Sequence, residues 1–537
     1  MPRILVADKI AEAGMERLRS APEVSFDVRH GLSPAELAVA IGEYDGVLIR
    51  SAVKITAETL ANPGRLAAIA RAGVGVDNVD LEAATQAGIL VLNTPDANTV
   101  STAEHTVAMM LALHHRIVEG HNHVAGGGWN RAAYEGVQLA GRTLGVVGFG
   151  RIGRAVAQRA LGLEMKVIAF DPFVRGETTL NGAVMLSQNL EQLLRESDCV
   201  TLHASLSNET RHLIGPAQIA LMKPGAKLIN CARGALIDEA ALAEALNSGR
   251  LGGAAIDVYE NEPPKGSPLL TAKNVVLTPH LAASTTEAQL RASIDAVEVL
   301  LAYLLQGEVR SAVNVTGMPS HLSGHGRAFV DLCSRIGTVL STWSAEGVER
   351  ITLTTHGESL REIASTLSWQ AMVAVVGPHL HTRLNLVNAK EQAQRRGILV
   401  EHVAHSQQNN QAESVVITVH SRGHARSIEG TIFADGRPRV LSIDGYRMEL
   451  VPERSMVLIF NDDRPGVIGL VGQAFGSAGI NIADMALSRR GKTALMVLKL
   501  DQAMPDDLRD TLNAANPPIL SVRTVSLPPV ANGPSTS

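Results

Sequence analysis

Short apolar runs alternate with helical stretches over the first 95 residues of the chain. The runs lie at 3–8, 25–28, 46–49, 66–70 and 89–92, and each predicts a strand. Strands that alternate with helices are typical of a parallel sheet with helices on both faces. The pattern therefore predicts a first α/β domain over residues 1–97.

The alternation starts again at residue 144. Strands are predicted at 144–148, 165–170, 198–203, 227–231, 254–257 and 275–278, with helices between them. This is the pattern of a second, complete doubly wound unit over residues 98–284. A further helix runs from Thr285 to about Gln306. Because the second unit is already complete, we assign residues 285–315 to the first domain and expect a ligand in the cleft between the two units.

The rest of the chain differs in pattern. Residues 313–326 are rich in Gly, Ser, Pro and His and predict a linker. An α+β intervening domain is predicted over 318–452. Residues 453–527 follow the order βαββαβ, which is typical of a ferredoxin-like fold. Residues 528–537 are rich in Pro, Ser, Gly and Asn and predict a disordered tail.

Composition narrows the class of protein. Of the 537 residues, 45% are apolar and 19% charged, and the net charge is −5. These values predict a globular protein that binds neither nucleic acid nor an anionic membrane. No apolar run reaches bilayer length and the N-terminal run is too short for a signal peptide, so we expect a cytoplasmic protein. Three scattered cysteines predict neither a disulfide framework nor a metal site.

A glycine fingerprint joins the strand at 144–148 to a helix. Gly148, Gly150 and Gly153 have the spacing that allows a tight turn, close approach of a pyrophosphate and close packing of the helix. The next strand ends at Asp171, whose carboxylate can accept hydrogen bonds from ribose hydroxyls and would repel a 2′-phosphate. The segment predicts NAD as cofactor in preference to NADP. The alternative is a glycine-rich turn with a structural role.

Three loops that follow strands of the second unit carry the residues for catalysis. Arg233, Glu262 and His280 each come after a strand, so all three are expected at the carboxyl edge of one sheet. His280 can act as the base for a hydroxyl proton, and Glu262 can accept the other imidazole N–H. Arg233 offers a planar fork for a carboxylate. Taken singly, each could instead be an ordinary surface or loop residue.

These segments resemble a known family. Gly-Phe-Gly-Arg-Ile-Gly, Asn-Cys-Ala-Arg-Gly and Thr-Pro-His-Leu-Ala-Ala-Ser are similar to segments of the D-isomer-specific 2-hydroxyacid dehydrogenases. The run Arg71–Asp80 and Asn93-Thr94-Pro95 narrow the resemblance to long members that act on 3-phospho-D-glycerate. The resemblance implies NAD contacts at Gly148, Gly150, Arg151, Ile152, Gly153, Asp171, Cys231, Ala232, Arg233, Asp257 and His280, with Asp257 at the nicotinamide carboxamide.

The same resemblance implies the remaining ligands. Substrate contacts are expected at Arg50, Ser51, Gly73, Arg233 and His280, with Lys54 and Arg131 as further candidates for its phosphate end. The last unit is similar to an ACT domain, in which Asn461, Asp463 and Asn481 are candidates to bind L-serine as an effector between paired copies. The alternative for that unit is assembly alone. A homo-oligomer, either a dimer or a tetramer, is expected.

The expected activity is NAD-dependent oxidation of 3-phospho-D-glycerate to 3-phosphohydroxypyruvate, the first step of L-serine synthesis. One alternative is another D-2-hydroxyacid dehydrogenase, such as a glyoxylate or hydroxypyruvate reductase. A second is a non-enzymatic, dinucleotide-sensing corepressor that kept the fold.

Overall fold

The computed structural model describes residues 1–176, 178–315, 322–345, 347–405, 412–515 and 518–530. Its strands form four sheets of five, eight, six and four strands. The expected fold class is confirmed: two parallel-sheet domains are followed by an α+β domain and a ferredoxin-like domain. No helix in these ranges is long and apolar enough to cross a membrane.

The first sheet is entirely parallel, with the strand order β2-β1-β3-β4-β5. Helices cover it on both sides, so the central strand β3 is buried along its whole length. Its elements are β1 (Arg3–Val6), α1 (Glu12–Arg19), β2 (Ser25–Val28), α2 (Pro34–Ala40), β3 (Gly46–Ile49), β4 (Ala68–Arg71), α3 (Leu81–Gln86) and β5 (Leu90–Leu92).

The second domain opens with two helices and holds the largest sheet. Its elements are α4 (Thr99–His114), α5 (Ile117–Ala125), β6 (Thr143–Val147), α6 (Arg151–Gly162), β7 (Lys166–Phe170), β8 (Thr178–Thr179), β9 (Val184–Leu186), α7 (Leu190–Glu196), β10 (Cys199–Leu202), α8 (Pro216–Leu221), β11 (Lys227–Asn230), α9 (Glu239–Asn247), β12 (Gly253–Ile256) and β13 (Val275–Leu277).

The strand order of this sheet is β13-β12-β11-β10-β6-β7-β9-β8, and every pair except β8–β9 is parallel. Strand order reverses between β6 and β10, which is where doubly wound folds bind ligands. Strands β8 and β9 were missing from the sequence prediction. They have two and three residues, too few to show an alternating pattern.

Helix α10 (Thr286–Gln306) returns the chain to the first domain. The Thr285 side chain accepts the N–H of Ala288 at its start, and Gly307 ends it in the left-handed conformation at φ 65°. Its buried face shares a core with β1 and β3 of the first sheet. The helix therefore closes the first domain and leaves the carboxyl edges of both parallel sheets facing the cleft.

The third domain packs helices against a six-stranded sheet with the order β15-β14-β16-β17-β18-β19. Its elements are α11 (Gly324–Ser341), β14 (Arg350–His356), α12 (Ala364–Val376), α13 (Ala389–Arg395), β15 (Leu399–His405), β16 (Ser414–Ser421), β17 (His424–Ile432), β18 (Pro438–Ile443) and β19 (Tyr446–Leu450). The part of the predicted linker at 316–321 lies outside the described residues.

The last domain has the predicted βαββαβ order. Its elements are β20 (Arg454–Asp462), α14 (Val467–Ser477), β21 (Ile482–Arg490), β22 (Thr493–Leu500), α15 (Asp506–Ala514) and β23 (Ile519–Leu527), with sheet order β21-β22-β20-β23. Side chains alternate along β20. Val457 and Ile459 lie in the core with α14 and α15, while Met456 and Leu458 share a core with the third domain.

The first residues of the predicted tail contact the folded domains. The buried guanidinium of Arg335 donates to the carbonyl oxygens of Pro528 at 2.6 Å and Pro452 at 3.0 Å, and the amide of Val530 donates to Glu453 at 3.0 Å. Residues 528–530 therefore contact the folded domains, and the disordered tail over 528–537 stays a prediction. The remainder of the tail, 531–537, lies outside the described residues.

Candidate active site

The fingerprint glycines form the turn from β6 into α6. A Cβ at Gly148, where φ is 89°, would lie 2.6 Å from the amide nitrogen of Ala204, and one at Gly153 would lie 2.1 Å from the carbonyl oxygen of Gly148. A Cβ at Gly150 would meet no protein atom within 4 Å. Packing thus requires the first and third glycines, and the second leaves the approach to the helix N-terminus open. This geometry fits a pyrophosphate.

Asp171 stands at the end of β7, beside that turn. Its carboxylate accepts the backbone N–H groups of Phe149 at 2.8 Å and Phe173 at 2.9 Å, which fixes its orientation. A cavity of about 290 Å³ opens next to it, lined also by Arg175 and Ser187. The arrangement suits a ribose ligand.

The other predicted cofactor residues cluster around the same edge. Arg151 is the first residue of α6, and its Nε lies 2.6 Å from Oδ1 of Asp96 in the segment between the domains. Ile152 and Ala232 are half-buried. Cys231 is buried, and burial together with a nearby carboxylate raises the pKa of its thiol to about 12. The thiol is therefore protonated at neutral pH.

Asp257 follows β12 and is fully buried. It accepts the hydroxyl of Thr278 at 2.6 Å and the backbone N–H groups of Leu281 at 2.7 Å and Ala282 at 2.9 Å. Burial alone would raise the pKa of this carboxyl, but these hydrogen bonds and one from His105 lower it. Asp257 thus fastens the loop after β13. Its contact with a nicotinamide carboxamide stays a prediction.

Within the described ranges, His105, Cys231 and Asp257 place potential metal ligands within 4.8 Å of one another. Both carboxylate oxygens of Asp257 already accept hydrogen bonds from the loop after β13. These contacts give the cluster a structural role without an ion. His105 instead lies with Nε2 3.3 Å from Oδ1 of Asp257 and belongs to the polar group behind the loop.

His280 and Glu262 form a hydrogen-bonded pair in the cleft. Nδ1 of His280 lies 2.8 Å from Oε2 of Glu262, and a carboxylate only accepts, so Nδ1 carries the proton and Nε2 is free to act as a base. The hydrogen bond to Glu262 raises the pKa of His280. Burial would raise the pKa of Glu262, but the bond and charge of His280 lower it. The pair therefore favours the imidazolium that forms after proton transfer.

Arg233 joins this pair at the same edge, as the sequence predicted. Its Nε lies 3.0 Å from Oδ2 of Asp77, which belongs to the first domain, and its Nη1 donates to the carbonyl of Ala232 at 2.7 Å. A Cβ at Gly75 would lie 1.8 Å from its Nη2, so the glycine makes room for the guanidinium. Loops from both domains thus hold the guanidinium of Arg233 at the cleft. Sequence reasoning did not identify Asp77, although it lies in the segment that carries the family resemblance.

The predicted substrate residues of the first domain are less uniform. The guanidinium of Arg50 donates to the carbonyl of Lys9 at 3.2 Å and to the side chain of Gln289. Ser51 is exposed, as are Lys54 and Arg131. Gly73 lies against Arg71, whose Nη1 would be 1.9 Å from a Cβ at that position. Arg71 is therefore a cation at the cleft that sequence reasoning did not nominate. It directly follows the strand predicted at 66–70, and this position was the available signal.

The three effector candidates make separate contacts in the last domain. Asn461 is buried, and its Nδ2 donates to the carbonyl of Asp462 at 2.7 Å. Asp463 lies 3.3 Å from Nε of Arg489, and Asn481 donates to Asp501 at 2.6 Å.

Asp463 and Asn481 lie at opposite ends of β21. Asn481 directly precedes this strand, whereas Asp463 forms an ion pair with Arg489 near the end of the strand. Nine residues of strand separate the two ends by roughly 25 Å. One copy of the chain therefore does not bring these two residues into one site.

Comparison with known proteins agrees with this geometry. Residues 107–282 match the model for the NAD binding domain of D-isomer specific 2-hydroxyacid dehydrogenases, which confirms the expected cofactor. Residues 326–444 match the D-3-phosphoglycerate dehydrogenase intervening domain, and residues 455–516 match the ACT domain.

Full-length relatives cover nearly the whole chain. D-3-phosphoglycerate dehydrogenase of Methanocaldococcus jannaschii is 38% identical over 98% of this chain and 100% of its own, and that of Bacillus subtilis is 36% identical over the same shares. Among solved structures, D-lactate dehydrogenase from Aquifex aeolicus with NAD and lactic acid is 29% identical, with a TM-score of 0.51 over 60% of this chain and 100% of its own. The chain belongs to the D-3-phosphoglycerate dehydrogenase family of the D-isomer-specific 2-hydroxyacid dehydrogenases.

Proposed function

We propose that this protein oxidises 3-phospho-D-glycerate to 3-phosphohydroxypyruvate with NAD, the first step of L-serine synthesis. The observation that carries the proposal is the His280–Glu262 pair, which leaves Nε2 of His280 free in a cleft that also holds Arg233. The names of the full-length relatives support the choice of substrate.

The residues have separate roles in the reaction. Nε2 of His280 accepts the proton of the C2 hydroxyl, and Glu262 stabilises the resulting imidazolium. Arg233 binds the substrate carboxylate through its terminal N–H groups and so orients C2. Bound NAD supplies the acceptor for the hydride that leaves C2, so the hydroxyl carbon becomes a carbonyl. The proton then passes from His280 to solvent.

The test is His280→Ala, followed by NADH absorbance with 3-phospho-D-glycerate. A general base contributes about 10²–10⁴-fold, so we expect a loss of turnover of that size. NAD binding, measured by calorimetry, should be retained. His30→Ala, an exposed histidine of the first domain, is the matched control. Turnover close to that of the unmodified protein would contradict the assignment of the base.

Two other functions are distinguished by simple assays. A glyoxylate or hydroxypyruvate reductase would prefer unphosphorylated 2-keto acids in a substrate panel, whereas we expect the phosphorylated acid to be preferred. A dinucleotide-sensing corepressor would bind NAD without turnover. The assembled Arg233, Glu262 and His280 favour an enzyme.

We propose the domain boundaries that the sequence predicted, and the division into four sheets supports them. Residues 1–97 with 285–315 form the substrate-binding domain, 98–284 the NAD-binding domain, 318–452 the intervening domain and 453–527 the ACT domain. The shared core of α10 with the first sheet supports the discontinuous assignment.

We infer a homo-oligomer, either a dimer or a tetramer. Apolar side chains are exposed around α5, namely Ile117, Val124 and Trp129, and Trp129 is 82% exposed. An apolar surface of this kind is typical of a protein interface. Sedimentation velocity tests the assembly, and a monomer at micromolar concentration would contradict it.

L-serine is the proposed effector, bound between two ACT domains. Asp463 and Asn481 lie far apart within one copy, which supports a site shared by two copies. In such a site, Asp463 of one copy would lie next to Asn481 of the other. The reducing cytoplasm is the proposed location, in keeping with three free, buried cysteines.

A further inference from the structure

His280 has an unusual backbone conformation. Its φ is 56°, in the left-handed region that residues with a side chain rarely adopt. Its amide donates to the carbonyl of Asp257 at 2.9 Å, and this bond joins the loop after β13 to the loop after β12. A strained residue persists only where its surroundings fix it, so the contacts of the neighbouring segment determine where the imidazole lies.

Tyr259 supplies a second connection between these two loops. Its hydroxyl donates to the carbonyl oxygen of Thr278 at 3.1 Å, two residues before His280. The side chain is buried, with 8% of the residue exposed. Burial, together with nearby carboxylates, raises the pKa of Tyr259 to about 12. The hydroxyl is therefore protonated at neutral pH and is available as a donor.

The backbone of the same residue contacts the other two loops. The amide of Tyr259 donates to Oε1 of Glu262 at 3.2 Å, which leaves Oε2 for Nδ1 of His280 at 2.8 Å. A Cβ at Gly234, the residue after Arg233, would lie 1.9 Å from the carbonyl carbon of Tyr259, so that loop packs directly on its backbone. Tyr259 thus contacts all three loops that carry the predicted catalytic residues.

Asp257 and Tyr259 hold different groups of Thr278. The carboxylate of Asp257 accepts the side-chain hydroxyl at 2.6 Å, whereas Tyr259 donates to the backbone carbonyl. The substitution Tyr259→Phe would therefore release the carbonyl of Thr278 and leave the contacts of Asp257 in place. The effect of the tyrosine hydroxyl on the loop can thus be measured separately from that of the carboxylate.

We propose that Tyr259 is a positioning residue for proton transfer, because its hydroxyl fixes the backbone at Thr278 and so keeps the imidazole of His280 against Glu262. The proposal rests on the proposed function, since it takes His280 as the base. In this role the tyrosine acts only through the position of His280. An imidazole that leaves the carboxylate for part of the time loses part of the stabilisation of its charged form.

The kinetic test is Tyr259→Phe, which removes the hydroxyl and keeps the ring and the backbone amide. We expect kcat for oxidation of 3-phospho-D-glycerate to fall about 2- to 10-fold, the range for one net hydrogen bond, with KM changed less than about twofold. Tyr446→Phe is the matched control. Tyr446 is likewise 8% exposed, and its hydroxyl lies 2.5 Å from that of Thr493, between the third and last domains. An unchanged kcat in Tyr259→Phe, or an equal fall in the control, would overturn the proposal.

The pH dependence separates a positioning role from a general loss of stability. Glu262, Asp257 and Arg233 are the charged groups that act on the imidazole of His280, and all three remain in Tyr259→Phe. A weaker contact with Glu262 should shift the low-pH limb of kcat/KM to lower pH, by less than Glu262→Gln does. A lower melting temperature with an unmoved limb would show a structural role alone and would overturn the proposal.

A measurement without substrate separates this proposal from the proposed function. Diethyl pyrocarbonate acylates the neutral imidazole, so the pH dependence of His280 modification, followed by mass spectrometry of its peptide, reports the pKa of His280. We expect a lower value in Tyr259→Phe than in the unmodified protein or in Tyr446→Phe. If the value falls but 3-phospho-D-glycerate is not oxidised, the role of Tyr259 stands and the function is wrong. If 3-phospho-D-glycerate is oxidised and the value does not fall, the role of Tyr259 is wrong and the function stands.

Discussion

Nε of Arg233 lies 3.0 Å from Oδ2 of Asp77, and this ion pair joins the NAD-binding domain to the substrate-binding domain across the cleft. Asp77 occupies the inner N–H of the guanidinium, so a terminal N–H pair stays available for a substrate carboxylate. In the proposed mechanism, Asp77 is therefore a positioning residue that orients Arg233.

Asp77→Asn should impair substrate binding more than stability. The pair is partly exposed, so its loss is worth about 0–1 kcal/mol and the melting temperature should change little. Loss of orientation at Arg233 should raise KM for 3-phospho-D-glycerate by about 2- to 5-fold, with a smaller effect on kcat. Initial rates over a substrate range measure both. Glu12→Gln, on the exposed face of α1, is the control, and an unchanged KM would show that Asp77 does not orient Arg233.

Glu262→Gln should move the pH profile of oxidation. His280 accepts a proton only when it is neutral, so activity rises as pH increases through its pKa. Glu262 raises that pKa above its ordinary value of about 6.5, and the amide removes the negative charge that does so. The low-pH limb of kcat/KM should therefore shift to lower pH, with a lower plateau rate. The neighbouring Glu260→Gln should leave the limb in place, and a limb unmoved by Glu262→Gln would contradict the role of the pair.

Asp171 should set the choice of cofactor. Asp171→Ser removes both the ribose acceptor and the charge that repels a 2′-phosphate, so the ratio of kcat/KM for NAD over NADP should fall. Asp171→Asn keeps the shape of the side chain and one oxygen acceptor but removes the charge. It therefore separates repulsion of the 2′-phosphate from hydrogen bonding to the ribose. If neither variant alters the ratio, Asp171 does not contact the ribose.

Sensitivity to L-serine should depend on Asp463 and Asn481, which lie at opposite ends of β21. With a coupling of about 1–3 kcal/mol, millimolar L-serine should lower the rate of the unmodified enzyme. Asp463→Ala and Asn481→Ala should each abolish this effect and leave the rate without serine unchanged. Asp510→Ala, an exposed acid on α15, should remain sensitive. A rate that ignores serine in the unmodified enzyme would leave the ACT domain with a role in assembly alone.

The sequence alone was sufficient for features that depend on neighbouring residues. The strand–glycine–helix turn around Gly148, the start of α10 near Thr285 and the βαββαβ order of the last domain all arise from local periodicity and turn chemistry. The meeting of Arg233, Glu262 and His280 was predictable for a related reason. Parallel strands deliver the residues that follow them to one edge of the sheet.

Other features depend on which parts of the chain pack together, and only the tertiary structure decided them. Arg50 follows β3 and Arg71 ends β4 of the first sheet, and the residues beside them in the sequence do not distinguish their roles. Helix α10, more than 200 residues further along, supplies Gln289 to Arg50, whereas Nε of Arg71 has no hydrogen-bond partner among the described residues. Asp77 finds Arg233 in another domain, and Asp257 is fully committed to its own loop. How strongly a charged side chain binds a ligand depends on its partners and its burial. Both are determined by tertiary packing and cannot be read from the local sequence pattern.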